Sequence, residues 1–188
     1  MDKTETLPLG VVLEWRRVDH PWKDHDWRPV AVIPGAPPLD PRGPWTLLRE
    51  GEAVRQYHAG TLPLELFRSD TLGYKDNLLQ QPPRIFVVLR QNADPAVEHE
   101  VIPYLVTADA YEGEHYGQAG DEIVDAVSMP PEVMALVADF VKVHHVEEVF
   151  VKRKRKKAKN AEDESFSRRP PVERPRRAPP GAIAREED

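Results

Sequence analysis

Apolar and polar residues alternate along the first part of the chain, a pattern typical of β-strands that bury one face. The alternation covers residues 11–16, and a second strand candidate follows at 27–34. Between them, residues 19–26 are rich in Asp, His and Pro, which are turn formers. We therefore predict a hairpin with a long turn at its tip, and we expect the rest of the domain to be built around that turn.

The next part of the chain continues this pattern of short strands. Gly60 predicts a bulge or a sharp bend between two of them. Residues 85–89 are continuously apolar, which indicates a central strand covered on both faces. The other strands are predicted at residues 45–48, 53–59, 62–67 and 101–106.

The strongest helical pattern runs from Ser128 to His144. Pro130 and Pro131 fall in its first turn, where a missing N–H costs least. Its apolar stripe has helical spacing and contains Val133, Leu136, Val137, Phe140, Val141 and His144. Shorter helices are predicted at residues 70–80 and 108–117. The fold class predicted is α+β: a mainly antiparallel bent sheet or partly closed barrel with this C-terminal amphipathic helix packed on it.

Charge divides the 188-residue chain into two parts. Residues 152–188 hold 13 Lys/Arg and 7 Asp/Glu, whereas residues 1–151 hold 13 Lys/Arg and 25 Asp/Glu. An acidic body therefore precedes a basic tail. The tail has few large apolar side chains to offset the entropy of ordering it. We predict an N-terminal lead-in at 1–10, a single globular domain at 11–151 and a disordered Pro/Arg-rich tail at 152–188.

Several classes of protein do not fit this composition. The chain has no cysteine, which excludes a disulfide framework and a thiol nucleophile. Its first residues lack the basic and then apolar pattern of an export signal. No apolar run reaches the roughly 20 residues that span a bilayer. We expect a cytoplasmic protein that does not enter a membrane.

The tryptophans of the predicted turn are the main candidates for a binding surface, because tryptophan combines a large contact area with a donor N–H. Trp22 follows Pro21 in the middle of the turn and is expected to face a partner. Trp27 touches the strand, and the alternative for it is packing against the end of the sheet. The candidate partner-binding residues are Trp22, Asp24, His25, Trp27, Arg28, Tyr57 and His58.

Two kinds of chemistry are alternatives to this binding surface. His20, Asp24, His25 and Asp26 could ligate a metal, but their spacing is irregular, so neither a metal site nor a cofactor is predicted. His58 lies near hydroxyl and carboxylate side chains, yet no nucleophile motif accompanies it. We therefore expect His58 to be structural and assign no catalytic residue.

The start of the tail is a basic arm that would attract nucleic acid or an acidic protein, with an attraction that weakens as salt rises. No aromatic side chain interrupts this run, so stacking on bases is poorly provided for. Contact with nucleic acid through the arm stays a minor alternative. The arm comprises Lys152, Arg153, Lys154, Arg155, Lys156 and Lys157.

Four blocks of the sequence resemble, in the same order, a bacterial family catalogued as domain of unknown function 3305. They are VVLEWRRVDHPWKDHDWRPVAVIPG, YHAGTLPLELFRSDTLGYKDNL, PPRIFVVLR and HHVEEVFVKRKR, and they extend over residues 11–155. The resemblance implies no established activity and no catalytic residues. It does imply a neighbourhood, because members of this family are typically encoded beside formate dehydrogenase genes.

Together these features predict a non-catalytic accessory protein that binds a protein partner. The gene neighbourhood points to a molybdenum-dependent formate dehydrogenase, or its maturation factors, during assembly or regulation. The first alternative is a small-molecule or cofactor-handling enzyme that brings His25, Asp24 and His58 into one pocket. The second is contact with nucleic acid through the basic arm.

Overall fold

A computed structural model describes residues 3–120 and 122–146 of the chain. The strands are β1 (Lys3–His20), β2 (Lys23–Pro34), β3 (Thr46–Glu50), β4 (Val54–Phe67), β5 (Arg84–Gln91), β6 (Val101–Thr107) and β7 (Glu122–Ser128). The helices are α1 (Thr71–Leu78), α2 (Ala110–Ala119) and α3 (Pro131–His144). The predicted α+β class is confirmed. In place of one bent sheet or barrel, the described residues form two antiparallel sheets, in the orders β2-β1-β4-β3 and β6-β5-β7, with no closed barrel.

The hairpin of β1 and β2 begins the first sheet, and its predicted antiparallel pairing is confirmed with Trp15 opposite Trp27. The long predicted turn is wrong: both strands continue toward the tip, where His20 pairs with Lys23. The start of β1 is also earlier than predicted. Lys3 is already in the strand, so the predicted lead-in pairs with the end of β4 and places Leu9 in the core.

The strands predicted at 53–59 and 62–67 are one strand, β4, with the expected bulge inside it. Val11 pairs with Gly60 and Val12 with His58, so one extra residue is accommodated between them. Gly60 has a φ of 149°, which favours glycine, and a Cβ there would collide with Pro41. The proline-rich segment after β2 therefore lies directly against this point of β4.

The second sheet confirms the apolar run at 85–89 as a central strand, because β5 lies between β6 and β7. Strand β7 was missed. Its residues do not alternate cleanly, and Ser128 looked like a helix cap, whereas it is the last residue of β7 and pairs with Arg84. The helix begins later, at Pro131, with Pro130 in an extended conformation before it.

One hydrophobic core joins both sheets and α3. Val133, Val137 and Phe140 of the predicted helical stripe are buried in it, which confirms that the C-terminal helix packs on the sheet. Each fully buried side chain of this size contributes about 1.5–3 kcal/mol. The two sheets supply Leu9, Val11, Leu13, Leu64 and Leu66 on one side and Ile85, Val87 and Leu89 on the other. In the described ranges, no helix is long and apolar enough to cross a membrane.

Candidate functional site

The tip of the β1–β2 hairpin extends past the rest of its sheet. Strand β4 pairs with β1 only as far as Arg16, and the backbone N–H of Arg17 makes the last bond across, to Ala53. Beyond this point β1 and β2 form a ribbon, in which they pair with each other and with no other strand of the described residues. Trp22 is at the end of this ribbon with 90% of its surface exposed.

The base of the hairpin is held by a buried carboxylate, Glu14, which is only 4% exposed. One of its oxygens accepts hydrogen bonds from Arg28 at 2.9 Å and from Arg16 at 3.2 Å, and the other accepts one from Gln56 at 2.9 Å. Burial alone would raise the pKa of Glu14, but these hydrogen bonds and the two arginine charges together lower it. Glu14 therefore links three strands of the sheet while it stays ionised.

The opposite face of the hairpin opens into a cleft of about 400 Å³, which we call the aromatic cleft. It forms because Trp15 and Trp27 are a directly opposed cross-strand pair and Tyr57 lies on the same face. Trp45, just before β3, packs against the edges of Trp27 and Tyr57. The lining residues are Trp15, His25, Trp27, Pro44, Trp45, Tyr57, Glu98, His99 and Glu100.

Polar contacts hold the rings of the aromatic cleft in place. The indole N–H of Trp27 donates to the Glu100 carboxylate at 3.2 Å, and the same oxygen lies 2.7 Å from Nε2 of His25. Trp45 donates its N–H to the carbonyl of Pro41 at 2.9 Å. Its ring stacks on His99 with centroids 3.7 Å apart and planes 13° from parallel. These contacts fix the orientation of the rings that line the cleft.

The structure places the seven predicted partner-binding residues at five different locations, and two of them, Asp24 and His58, belong to the enzyme alternative. His25, Trp27 and Tyr57 come together in the aromatic cleft, where Trp27 contacts Trp45 and Tyr57. Trp22 is exposed at the hairpin tip. Arg28 belongs to the Glu14 network on the opposite face.

The pocket required by the enzyme alternative does not form. His58 is 8% exposed and lies next along β4 from Tyr57, so its side chain is on the other face of the sheet from His25. There its Nε2 is 3.1 Å from the hydroxyl of Thr61. Asp24 borders a different cleft, beside Arg17.

Two further expectations concern ions and the tail. Within residues 3–120 and 122–146, no three His, Asp or Glu side chains are grouped so that they could hold a metal ion. The basic arm that starts at Lys152 lies outside the described residues, as does the predicted boundary at 151, and both stay predictions.

The sequence predicts three of the six aromatic rings that line the aromatic cleft; the other three, Trp15, Trp45 and His99, are not among its candidate binding residues. The one local signal was the Glu98-His99-Glu100 run, which places two carboxylates around a ring just before a strand. Nothing local connects it to the hairpin, because Glu100 is 75 positions from the histidine it contacts.

Comparisons with known proteins return one match. Residues 8–156 fit the model of a family described as a protein of unknown function, DUF3305. No curated protein and no solved structure matches the chain.

Proposed function

This chain belongs to the DUF3305 family of proteins of unknown function, and we propose that it is a non-catalytic accessory protein whose hairpin tip binds a protein partner. The observation that carries the proposal is Trp22, which is 90% exposed. Tryptophan is among the residues most enriched at the energetic centres of protein interfaces, where truncating one costs about 2 kcal/mol or more.

The hairpin suits this role because its base is rigid and its tip is free. Glu14 fixes the base through donors from two neighbouring strands. Among the described residues no strand pairs with the ribbon beyond Arg17, and the exposed ring of Trp22 is open to a partner. Exposed aromatic anchors on a preorganised element lose little conformational entropy on binding.

For the partner we propose a molybdenum-dependent formate dehydrogenase or one of its maturation factors, during assembly or regulation of that enzyme. The support is the gene neighbourhood that the family resemblance implies. The role is taken to be non-catalytic because the residues of the enzyme alternative, among them His25 and His58, lie on opposite faces of the first sheet.

The test is recovery of formate dehydrogenase subunits on tagged protein from native cells grown with formate and molybdate. Wild type is expected to retain them and Trp22→Ala to lose at least about tenfold, which corresponds to about 1.4 kcal/mol. Leu79→Ala is the matched control, because Leu79 is a large apolar side chain, 73% exposed, after α1. Equal recovery by wild type and Trp22→Ala would overturn docking through the tip. Failure of the wild type to retain the subunits would overturn the proposed partner.

A further inference from the structure

We propose that the aromatic cleft binds the guanidinium group of an arginine side chain presented by the protein partner. The inference rests on the proposed function for its source of ligand, a protein, while the cleft itself is a different surface from Trp22. It assigns a chemical class to the partner: a segment with an exposed arginine.

The charge of the cleft selects a cation. Among the described residues that line it, two are carboxylates, Glu98 and Glu100, and none is a lysine or arginine. Both glutamates are exposed, and Glu100 keeps 61% of its side-chain surface open although it contacts His25. A positive group entering the cleft would therefore meet opposite charge at its rim before it reaches the rings.

The arrangement of the rings suits a cation as well. Trp27 and Trp45 stand at 87° to each other with centroids 5.4 Å apart, and Tyr57 is tilted by 50° and 55° to them. These rings and that of Trp15 all line the same cleft, and sites lined by several aromatic rings are typical of the recognition of organic cations.

Guanidinium is favoured over ammonium because a planar ion can stack on a ring and still donate to carboxylates with its edge. The protein already makes this contact at the border of the cleft: the guanidinium carbon of Arg55 lies 5.3 Å from the centre of the Trp15 ring. The cleft of about 400 Å³ is also within the usual range of about 300–1,000 Å³ for ligand sites.

A partner's side chain fits better than a small free cation because of where the cleft lies. His25 borders the cleft and is three positions from Trp22 on the same hairpin. A protein that covers the tip therefore has the cleft within reach of its neighbouring residues. The arginine would add a charge-dependent contact to the apolar anchor at the tip.

The test uses the full chain and the indole N–H signals of its four tryptophans in ¹H–¹⁵N NMR spectra. The probe is a capped pentapeptide with one arginine between glycines, matched by peptides with citrulline or lysine. The signals of Trp27 and Trp45 are expected to shift with the arginine peptide, while that of Trp22 stays unchanged. The citrulline peptide is expected to bind at least about tenfold more weakly, since it lacks the charge. Equal binding of citrulline would overturn the proposal.

A variant tests the charge of the rim and still leaves an amide oxygen at position 100 to accept from Trp27. The double change Glu98→Gln, Glu100→Gln keeps the shape of the rim and is expected to weaken the arginine peptide at least about tenfold; unchanged affinity in this folded variant would overturn the proposal. Choline is the competing probe: tighter binding of choline than of the arginine peptide would assign the cleft to a small cation instead.

The two proposals fail separately. If the protein binds the arginine peptide and Trp22→Ala still recovers the dehydrogenase, docking through the tip is overturned and the cleft proposal stands. If Trp22→Ala loses recovery and the protein does not respond to the arginine peptide, the cleft proposal is overturned and docking through the tip stands.

Discussion

Two glutamates lie against the two faces of the β1–β2 hairpin, and they differ in how far their carboxylates are exposed. Glu14 and Glu100 each accept hydrogen bonds from more than one side chain of the first sheet. Glu14 is 4% exposed and is surrounded by its three donors. Glu100 keeps 61% of its side chain exposed at the rim of a cleft. We call the Glu14 network the closed site, because its buried carboxylate stabilises the hairpin. We call the rim at Glu100 the open site, because its exposed carboxylate leaves charge available to a ligand.

Removing the charge at the closed site is expected to have the largest effect. Glu14→Gln should lower the free energy of unfolding by about 3 kcal/mol, the low end for breaking a buried ion pair, because Arg16 and Arg28 are half exposed and regain water. Urea unfolding followed by far-UV circular dichroism measures it. A loss below about 1 kcal/mol would mean that the network does not hold the hairpin.

The next largest effect is expected on the open face, from a ring rather than a charge. Trp45→Ala should cost about 2 kcal/mol, less than the 3–5 typical of a fully buried tryptophan, because Trp45 is only half-buried. Trp45→Phe is the control, since it keeps a ring over His99 and should recover about half of the loss. If both variants unfold like wild type, the rings of the cleft contribute nothing to the fold.

The closed site and the open site also differ in how far the sequence could predict them. The hairpin, the central strand β5 and the stripe of α3 were predictable because their patterns repeat over a few neighbouring residues. The position of Arg28 opposite Glu14 requires the register of β1 and β2, which the overestimated turn at residues 19–26 concealed. Arg28, which was a candidate for partner binding, is therefore a half-exposed donor to a buried carboxylate.

The open site was less predictable still, because it joins segments that are far apart in the chain. His25 is in β2 of the first sheet and Glu100 lies just before β6 of the second, so their contact depends on how the two sheets pack together. Tertiary packing of this kind leaves no periodic trace in the sequence. Strand β7 was missed for a related reason. Its residues lack a clear strand pattern, and it is a strand because it pairs with β5.

A smaller effect is expected from pH, through the contribution of Glu14 to the free energy of unfolding. The pKa of Glu14 is lowered from its ordinary value of 4.5, so the unfolded chain takes up a proton first as the solution becomes acidic. The stabilisation is complete well above pH 4.5 and is lost as pH falls through the lower pKa of the folded state. The difference between wild type and Glu14→Gln should therefore shrink from pH 6 to about pH 3 in urea titrations. A difference that stays constant over this range would contradict the lowered pKa.

The smallest effects are expected at the open rim and the tip, and they complete the comparison. Glu100→Gln is the same chemical change as Glu14→Gln, yet it should alter the free energy of unfolding by no more than about 0.5 kcal/mol, because exposed ion pairs contribute little. Trp22→Ala should stay within the same limit, since the ring is 90% exposed. Urea unfolding of both variants beside Glu14→Gln measures the contrast. A cost above about 1.5 kcal/mol for either variant would mean that the side chain stabilises the fold. A loss of binding in that variant could then be caused by the loss of stability. Small costs combined with lost binding would instead mean that these side chains are kept exposed for a partner.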